Sequence, residues 1–165
     1  MKSTENLRTA FVGESQANRK YEEFAKKAES EGYKNIARLF KAASFSESIH
    51  ARNHLRVMEG VQNTIQNLIE AKNGENYEVT NMYPQFIENA QVEGNEEAER
   101  TFKWAIEAEK AHEKFYQEAI DRISQGKDLD EIPFFVCGGC GFTVDKEAPD
   151  KCPVCGAPKK MFQQF

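Results

Sequence analysis

ESIH, residues 47–50, and EKAH, residues 109–112, each place a glutamate three residues before a histidine. Each lies in a segment whose core-type positions recur at alternating steps of four and three, which predicts an amphipathic helix. Residues three apart on a helix share a face, so Glu47 stands beside His50 and Glu109 beside His112. In both segments that face is also the apolar stripe. One stripe runs Ile36, Phe40, Ala43, Glu47, His50, His54, Val57; the other runs Ala98, Phe102, Ala105, Glu109, His112, Tyr116, Ala119, Ile123. Acid and imidazole therefore occupy slots where the pattern asks for apolar side chains.

Two further segments share this character. The first runs Leu7, Phe11, Glu14, Asn18, Tyr21, Ala25, Ala28, and Gly32 breaks it. The third is less regular, from about Glu75 through Glu78, Met82 and Phe86 to Ala90, where Gly94-Asn95 supplies a stop and the next N-cap. Pro84 falls inside it and predicts a kink, since proline removes a backbone hydrogen bond. The connections near Glu31-Gly32 and Gly94-Asn95 are short, while the middle one, about residues 61–74, is long. Short connections favour antiparallel neighbours and a long one permits a crossover. VQNTIQNLIEAK, within the long connection, has the composition of a short helix. The expected fold is an all-α four-helix bundle with one long crossover, over residues 1–132.

An isolated buried carboxylate is costly and needs a partner or a proton, and few lysines or arginines share these stripes. A single glutamate among 27 acidic residues is ordinarily solvated surface, and one Glu-x-x-His is weak. The signal is their recurrence in phase with the core. Carboxylate di-metal bundles take one glutamate from each of two helices and Glu-x-x-His from each of the other two. Here those are Glu14 and Glu75, with Glu47/His50 and Glu109/His112. Four carboxylates and two neutral imidazoles nearly balance two divalent cations, and oxygen-rich ligation with imidazole suits iron or manganese better than zinc. Tyr21, seven residues after Glu14, shares its face, either as packing or as a hydroxyl aimed at the metals. His54 reads as a polar residue near the bundle end.

After Gly126 the composition changes. GKDLDEIP is polar and ends in proline, as a linker does. Residues 133–165 hold all four cysteines, as Cys137-x-x-Cys140 and Cys152-x-x-Cys155, each pair followed by glycine. Two such pairs supply four thiolates for one tetrahedral ion, zinc or iron. A segment this small needs a staple of that kind. The formal net charge is -5, which gives no support for nucleic-acid binding. No apolar run reaches bilayer length. The N-terminal MKSTENLRTAFVGES has no signal-type apolar core, so a cytoplasmic protein is the expectation, in keeping with thiols kept reduced.

Together these motifs resemble the rubrerythrin family over essentially the whole chain. GESQANRKY is similar to the family's first-helix motif, ESIH and EKAH to its two ligand pairs, and GENYEVTNMYP to its third-helix segment. CGGCGFT and APDKCPVCGAP resemble its short rubredoxin-like module. The resemblance implies a ferritin-like bundle with two non-haem irons, plus a β-rich rubredoxin-like domain with one iron at four cysteines, where zinc can substitute. It implies a peroxidase that reduces hydrogen peroxide to water. Electrons would arrive through the tetracysteine iron from an external NAD(P)H-linked reductase or a rubredoxin, in peroxide defence. It implies a homodimer in which the rubredoxin-like iron of one subunit lies near the di-iron site of the other. By the same match Glu47 and Glu109 bridge the metals, Glu14, Glu75 and His112 are terminal ligands, and Glu78 and His50 are alternative ligands of the first iron. Tyr21 and Tyr83 lie near the site as hydrogen-bonding groups. Two other readings compete: iron oxidation and storage, in which the thiolate module has no purpose, and a helical bundle carrying a structural zinc ribbon.

Overall fold

A computed structural model describes residues 2–165 of the chain. It divides into two compact units, Met1–Gln62 and Asn63–Phe165.

The first unit is a helical hairpin of α1 (Lys2–Ser30) and α2 (Lys34–Val57). The turn is set by Gly32, whose φ of 86° closes α1 in the left-handed conformation that glycine tolerates. The Tyr33 N–H then reaches back to the Ala28 carbonyl at 2.8 Å. The buried seam consists of small residues, Ala25 and Ala28 on α1 with Ala37, Ser44 and Ala51 on α2. Small side chains let two helix axes approach closely. Asn18, a polar residue on the stripe, is satisfied across the seam: its Nδ2 donates to the Ser44 carbonyl and Oγ, each at 2.9 Å. Ser44 Oγ in turn donates to the Asn18 carbonyl at 3.0 Å. A two-helix unit buries only a narrow stripe, and Phe24, Ile36, Leu39 and Phe45 remain exposed.

The second unit begins with α3 (Thr64–Tyr77), capped by Asn63, whose side chain accepts from the Gln66 N–H at 3.0 Å. The segment expected as a connection over 61–74 is thus mostly helix, and the irregular chain is confined to 58–63. α3 runs into a π-helical turn, Glu78–Met82, and then into α4 (Tyr83–Glu93). Pro84 lies in the first turn of α4, where a missing N–H is tolerated. The local distortion expected at Pro84 takes the form of the wider turn before it. Gly94, at φ 67°, ends α4, and Asn95 caps α5 (Glu96–Ser124) by accepting from the Ala98 N–H at 3.1 Å.

The two hairpins follow one plan. Tyr21, Phe24, Gly32, Phe40, Glu47 and His50 recur 62 positions later as Tyr83, Phe86, Gly94, Phe102, Glu109 and His112. The ring geometry recurs too. Tyr21–Phe40 and Phe24–Phe40 centroids are 6.1 and 5.5 Å apart, and Tyr83–Phe102 and Phe86–Phe102 are 6.2 and 5.5 Å apart. Glu14 and Glu75, however, differ by 61. The second hairpin has one extra residue between its first glutamate and its tyrosine, and the π turn absorbs it, as π-bulges do.

Beyond α5, β1 (Phe134–Cys137) is the centre of a small antiparallel sheet with β2 (Thr143–Asp145) and β3 (Phe162–Gln164), in the order β2-β1-β3. Phe134 packs edge-on against Phe115 of α5, centroids 5.2 Å apart, which seats this sheet on the helix that carries Glu109 and His112. No helix among the described residues is long and apolar enough to cross a membrane.

Candidate metal centres

Three groups of ligating side chains form among the described residues: Glu14, Glu47 and His50; Glu75, Glu109 and His112; and the four cysteines. In each group the ligand atoms lie within 4.8 Å of one another. Metal–ligand bonds of about 2.1 Å put neighbouring ligand atoms about 3 Å apart and opposite ones about 4 Å apart, so the two carboxylate–histidine groups are of metal-binding size.

In the first hairpin, His50 Nδ1 lies 2.9 Å from Glu47 Oε2 and 4.0 Å from Glu14 Oε1. A hydrogen bond to Glu47, then burial, raises Glu14 above the usual range, and the same bond holds Glu47 below it. In the second hairpin, His112 Nδ1 lies 2.7 Å from Glu109 Oε2 and 3.7 Å from Glu75 Oε1. Burial, then the Glu109 charge, pushes Glu75 up to about 7. Glu78, on the π turn, is raised by the same two causes. It is not part of the compact triad, although Glu109 and His112 both act on it. The hydrogen bond to Glu109 raises His112 against the opposing effect of burial. Among the described residues, no lysine or arginine is ion-paired with any of these five glutamates. Acids crowded without counter-cations, and raised by one another, are the electrostatic form of a cation site.

The tyrosines divide. Burial, then the charges of Glu78, Glu109 and Glu75, raises Tyr83, so its hydroxyl feels all three carboxylates. Tyr21 has ring contacts with Phe24 and Phe40, and no hydrogen bond of its hydroxyl is seen among the described residues. Tyr116 was read from the sequence only as a stripe residue, yet it belongs with Tyr83: burial, then Glu75 and Glu109, raises it, and its ring centroid lies 6.5 Å from that of His112. Its position four residues after His112 on one helix face was the available signal. Thr143, whose Oγ1 lies 2.9 Å from His112 Nε2, carried no such signal, because only the packing of the sheet brings it there.

The cysteines converge as their spacing requires. Cys137 and Cys155 sulfurs are 3.6 Å apart, as are those of Cys140 and Cys152. A tetrahedron with metal–sulfur bonds of about 2.3 Å has edges of about 3.75 Å, so the cage is preformed for one ion. The two pairs form matching turns, with Gly141 N–H on the Cys137 carbonyl and Gly156 N–H on the Cys152 carbonyl. Gly141 and Gly156 have φ of 82° and 76°, which explains both glycines. A Cβ on Gly138 would come 3.0 Å from the Met161 carbonyl, so a side chain there would crowd that backbone. Backbone N–H groups point at sulfur. Burial pushes Cys152 up, but the amides of Cys155 and Val154 and the neighbouring thiols outweigh it and bring it down to about 7. Burial raises Cys140, partly offset by the Phe142 amide.

Family profiles match both parts of the chain. The profile described as Rubrerythrin matches residues 5–120, and the one described as Rubrerythrin, rubredoxin-like domain matches residues 135–163. The chain belongs to the rubrerythrin family. Among its relatives, Rubrerythrin-2 of Clostridium acetobutylicum is 42% identical over 96% of this chain and 94% of its own. Nigerythrin of Nitratidesulfovibrio vulgaris is 37% identical, over 98% and 85%. Among solved structures, fully reduced, all-ferrous nigerythrin matches with a TM-score of 0.59 at 36% identity, covering 98% of this chain and 86% of that one. Rubrerythrin membership makes this an iron-binding oxidoreductase with a ferritin-like helical part and a rubredoxin-like module. The residues present fit those groups: carboxylate and imidazole clusters for non-haem iron, and a four-sulfur cage for a single iron. Within this chain the rubredoxin-like module packs on its own α5, beside His112.

Proposed function

We propose that this rubrerythrin is a hydrogen peroxide reductase, and the observation that carries the reading is the pairing of two Glu–Glu–His triads with a tetrathiolate cage in one chain. Each hairpin supplies one Glu–Glu–His triad of the kind that holds iron. Bound there, two ferrous ions would supply the two electrons that cleavage of an O–O bond consumes, and the single iron at the cysteines would restore them one at a time.

The side chains divide the remaining work. Glu47 and Glu109 each contact both the other glutamate and the histidine of their own triad, and on the family match they would be the ligands shared by the two ions. Glu14, Glu75 and His112 complete the ends. Glu78 lies beside the second triad without belonging to it, which suits a ligand engaged in one redox state, with His50 taking its place in the other. A carboxylate suits ferric ion and an imidazole ferrous. Tyr83 and Tyr116 bring neutral hydroxyls among the carboxylates and are available to donate hydrogen bonds to bound peroxide; Tyr21 is placed with them on the family match. Reduction of one peroxide to two waters takes up two protons and two electrons.

The electron donor is an external NAD(P)H-linked reductase or a rubredoxin, acting on the tetracysteine site. The protein works as a homodimer, for which the apolar residues left exposed on both hairpins, such as Leu39, Phe45 and Val92, offer surface. We place it in the cytoplasm, where thiol ligands stay reduced, and divide it into a bundle domain over 1–132 and a rubredoxin-like domain over 133–165. Anaerobic turnover tests the reading. Reduced protein should consume peroxide at the expense of NAD(P)H when a competent reductase is supplied; failure of peroxide to oxidise the reduced protein would end it.

A further inference from the structure

Thr143 belongs to the rubredoxin-like sheet, yet its side chain faces a ligand of the other metal site. It is buried, at 8% exposure. Its Oγ1 lies 3.1 Å from the Gly141 carbonyl and 2.9 Å from His112 Nε2. A hydroxyl has one proton to give. The Gly141 carbonyl can only accept, so the proton goes there, and Oγ1 is left to accept from the imidazole. His112 must then carry a hydrogen on Nε2. When the ring is neutral, its bare nitrogen is Nδ1, the one facing Glu109 and Glu75.

The connection continues. The Gly141 carbonyl belongs to the same peptide group as the Phe142 N–H, and that N–H donates to the Cys140 sulfur. A ligand of each metal site therefore ends one continuous line: His112 Nε2–H to Thr143 Oγ1, Thr143 Oγ1–H to Gly141, through one peptide, and Phe142 N–H to Cys140. The whole line lies within the unit Asn63–Phe165. Among the described residues, the matching histidine of the first hairpin has no such anchor. His50 is half exposed and makes its ring contacts through Nδ1 alone.

The geometry points to Thr143 as a positioning residue that selects Nδ1 of His112 as the ligating nitrogen and ties that imidazole to the Cys140 thiolate. The inference rests on reading the two clusters as iron sites and stands apart from the peroxide reaction. Metal-bound histidines commonly donate their second ring N–H in this way, and removing the acceptor typically lowers metal affinity ~10–100-fold.

The test uses the full-length, metal-free chain and ferrous ion as the anaerobic probe, in competition with a chelator. Thr143→Val should weaken ferrous binding at the carboxylate–histidine site by roughly 10-fold or more, while Thr143→Ser restores it. In both variants the visible absorption of the iron-loaded cysteine site should match wild type. In the zinc-loaded protein, nitrogen NMR of the imidazoles should show a protected Nε2–H on His112 in wild type and Thr143→Ser, and a rapidly exchanging one in Thr143→Val. Wild-type affinity and the same protected Nε2–H in Thr143→Val would overturn the inference. So would loss of the cysteine-site absorption in Thr143→Val, which would assign the hydroxyl to the module's fold. If peroxide fails to oxidise wild type while Thr143→Val still loses ferrous affinity, the functional reading falls and this one stands.

Discussion

Glu78 follows Glu75 by about one helical turn, and burial together with the charge of Glu109 holds both carboxyls above the usual range. The first hairpin has only Glu14 in the corresponding stretch. The additional acid comes with the additional residue, and the π turn that accommodates it also sets Tyr83 and Phe86 back in register with Tyr21 and Phe24. If Glu78 ligates chiefly ferric ion, Glu78→Ala should leave ferrous binding nearly intact and raise the reduction potential of the carboxylate–histidine site. A redox titration followed by absorption checks this. An unchanged potential would remove Glu78 from the ligand set.

The two histidines should not be equivalent. His112 is held at both ring nitrogens, by Glu109 and Thr143, whereas among the described residues His50 is held at one. His112→Ala should therefore cost more ferrous affinity than His50→Ala, by ~10-fold or more given the additional anchored contact. Titration of the two variants side by side gives the ratio directly; equal losses would contradict the asymmetry.

Without metal, the second hairpin should weaken as pH rises. The folded Glu75 carboxyl is pushed up to about 7, above its ordinary value of 4.5, so between those values the folded chain holds a proton that the unfolded chain has released. Stability then falls with rising pH across that window. His112 is also raised, above 6.5; its contribution is complete below 6.5 and is lost as pH passes its folded value, so both groups have the same sign. Metal-free Glu75→Gln should exceed metal-free wild type in stability at pH 8, on the order of 1 kcal/mol after solvent screening, and match it near pH 4. Urea titrations at the two pH values measure the difference.

The rubredoxin-like module depends on its ion. Its fully buried large side chain is Cys137, a ligand rather than an apolar core residue, so burial alone does not hold it. Removing the metal under reducing conditions should unfold residues 133–165 while the helical signal persists, since structural tetrathiolate sites contribute on the order of 10 kcal/mol to folding. Cys152→Ser should abolish the iron–thiolate absorption. Amide NMR of the glycines at 138, 139, 141 and 156 reports the loss.

Much of this was legible in the residues, for identifiable reasons. Gly32, Gly94 and Asn95 marked helix ends because left-handed caps and Asn N-caps have strong residue preferences. The triad residues were legible because acids and imidazoles broke an apolar stripe. A helix within VQNTIQNLIEAK was legible from composition, but its start at Thr64 and its continuity into the segment from Glu75 were not, because TIQNLIEAK shows little amphipathic contrast and its cap, Asn63, resembles any loop asparagine. The 62-residue repeat, visible as Tyr-x-x-Phe at 21–24 and 83–86, and the one-residue offset of Glu75 against Glu14 lie in the sequence, but the distortion was expected from Pro84 rather than from that offset. Thr143 lay beyond reach, since nothing in a strand threonine signals a histidine 31 positions away.

The central claim is tested most directly by mixing fully reduced, iron-loaded protein with one equivalent of hydrogen peroxide in a stopped-flow spectrometer without oxygen. The account predicts fast oxidation of the carboxylate–histidine irons, with no mineral formed, and regeneration of the starting spectrum on adding NAD(P)H and a reductase. A reduced protein that peroxide leaves unchanged, or that oxygen oxidises faster with iron mineral accumulating, would contradict it.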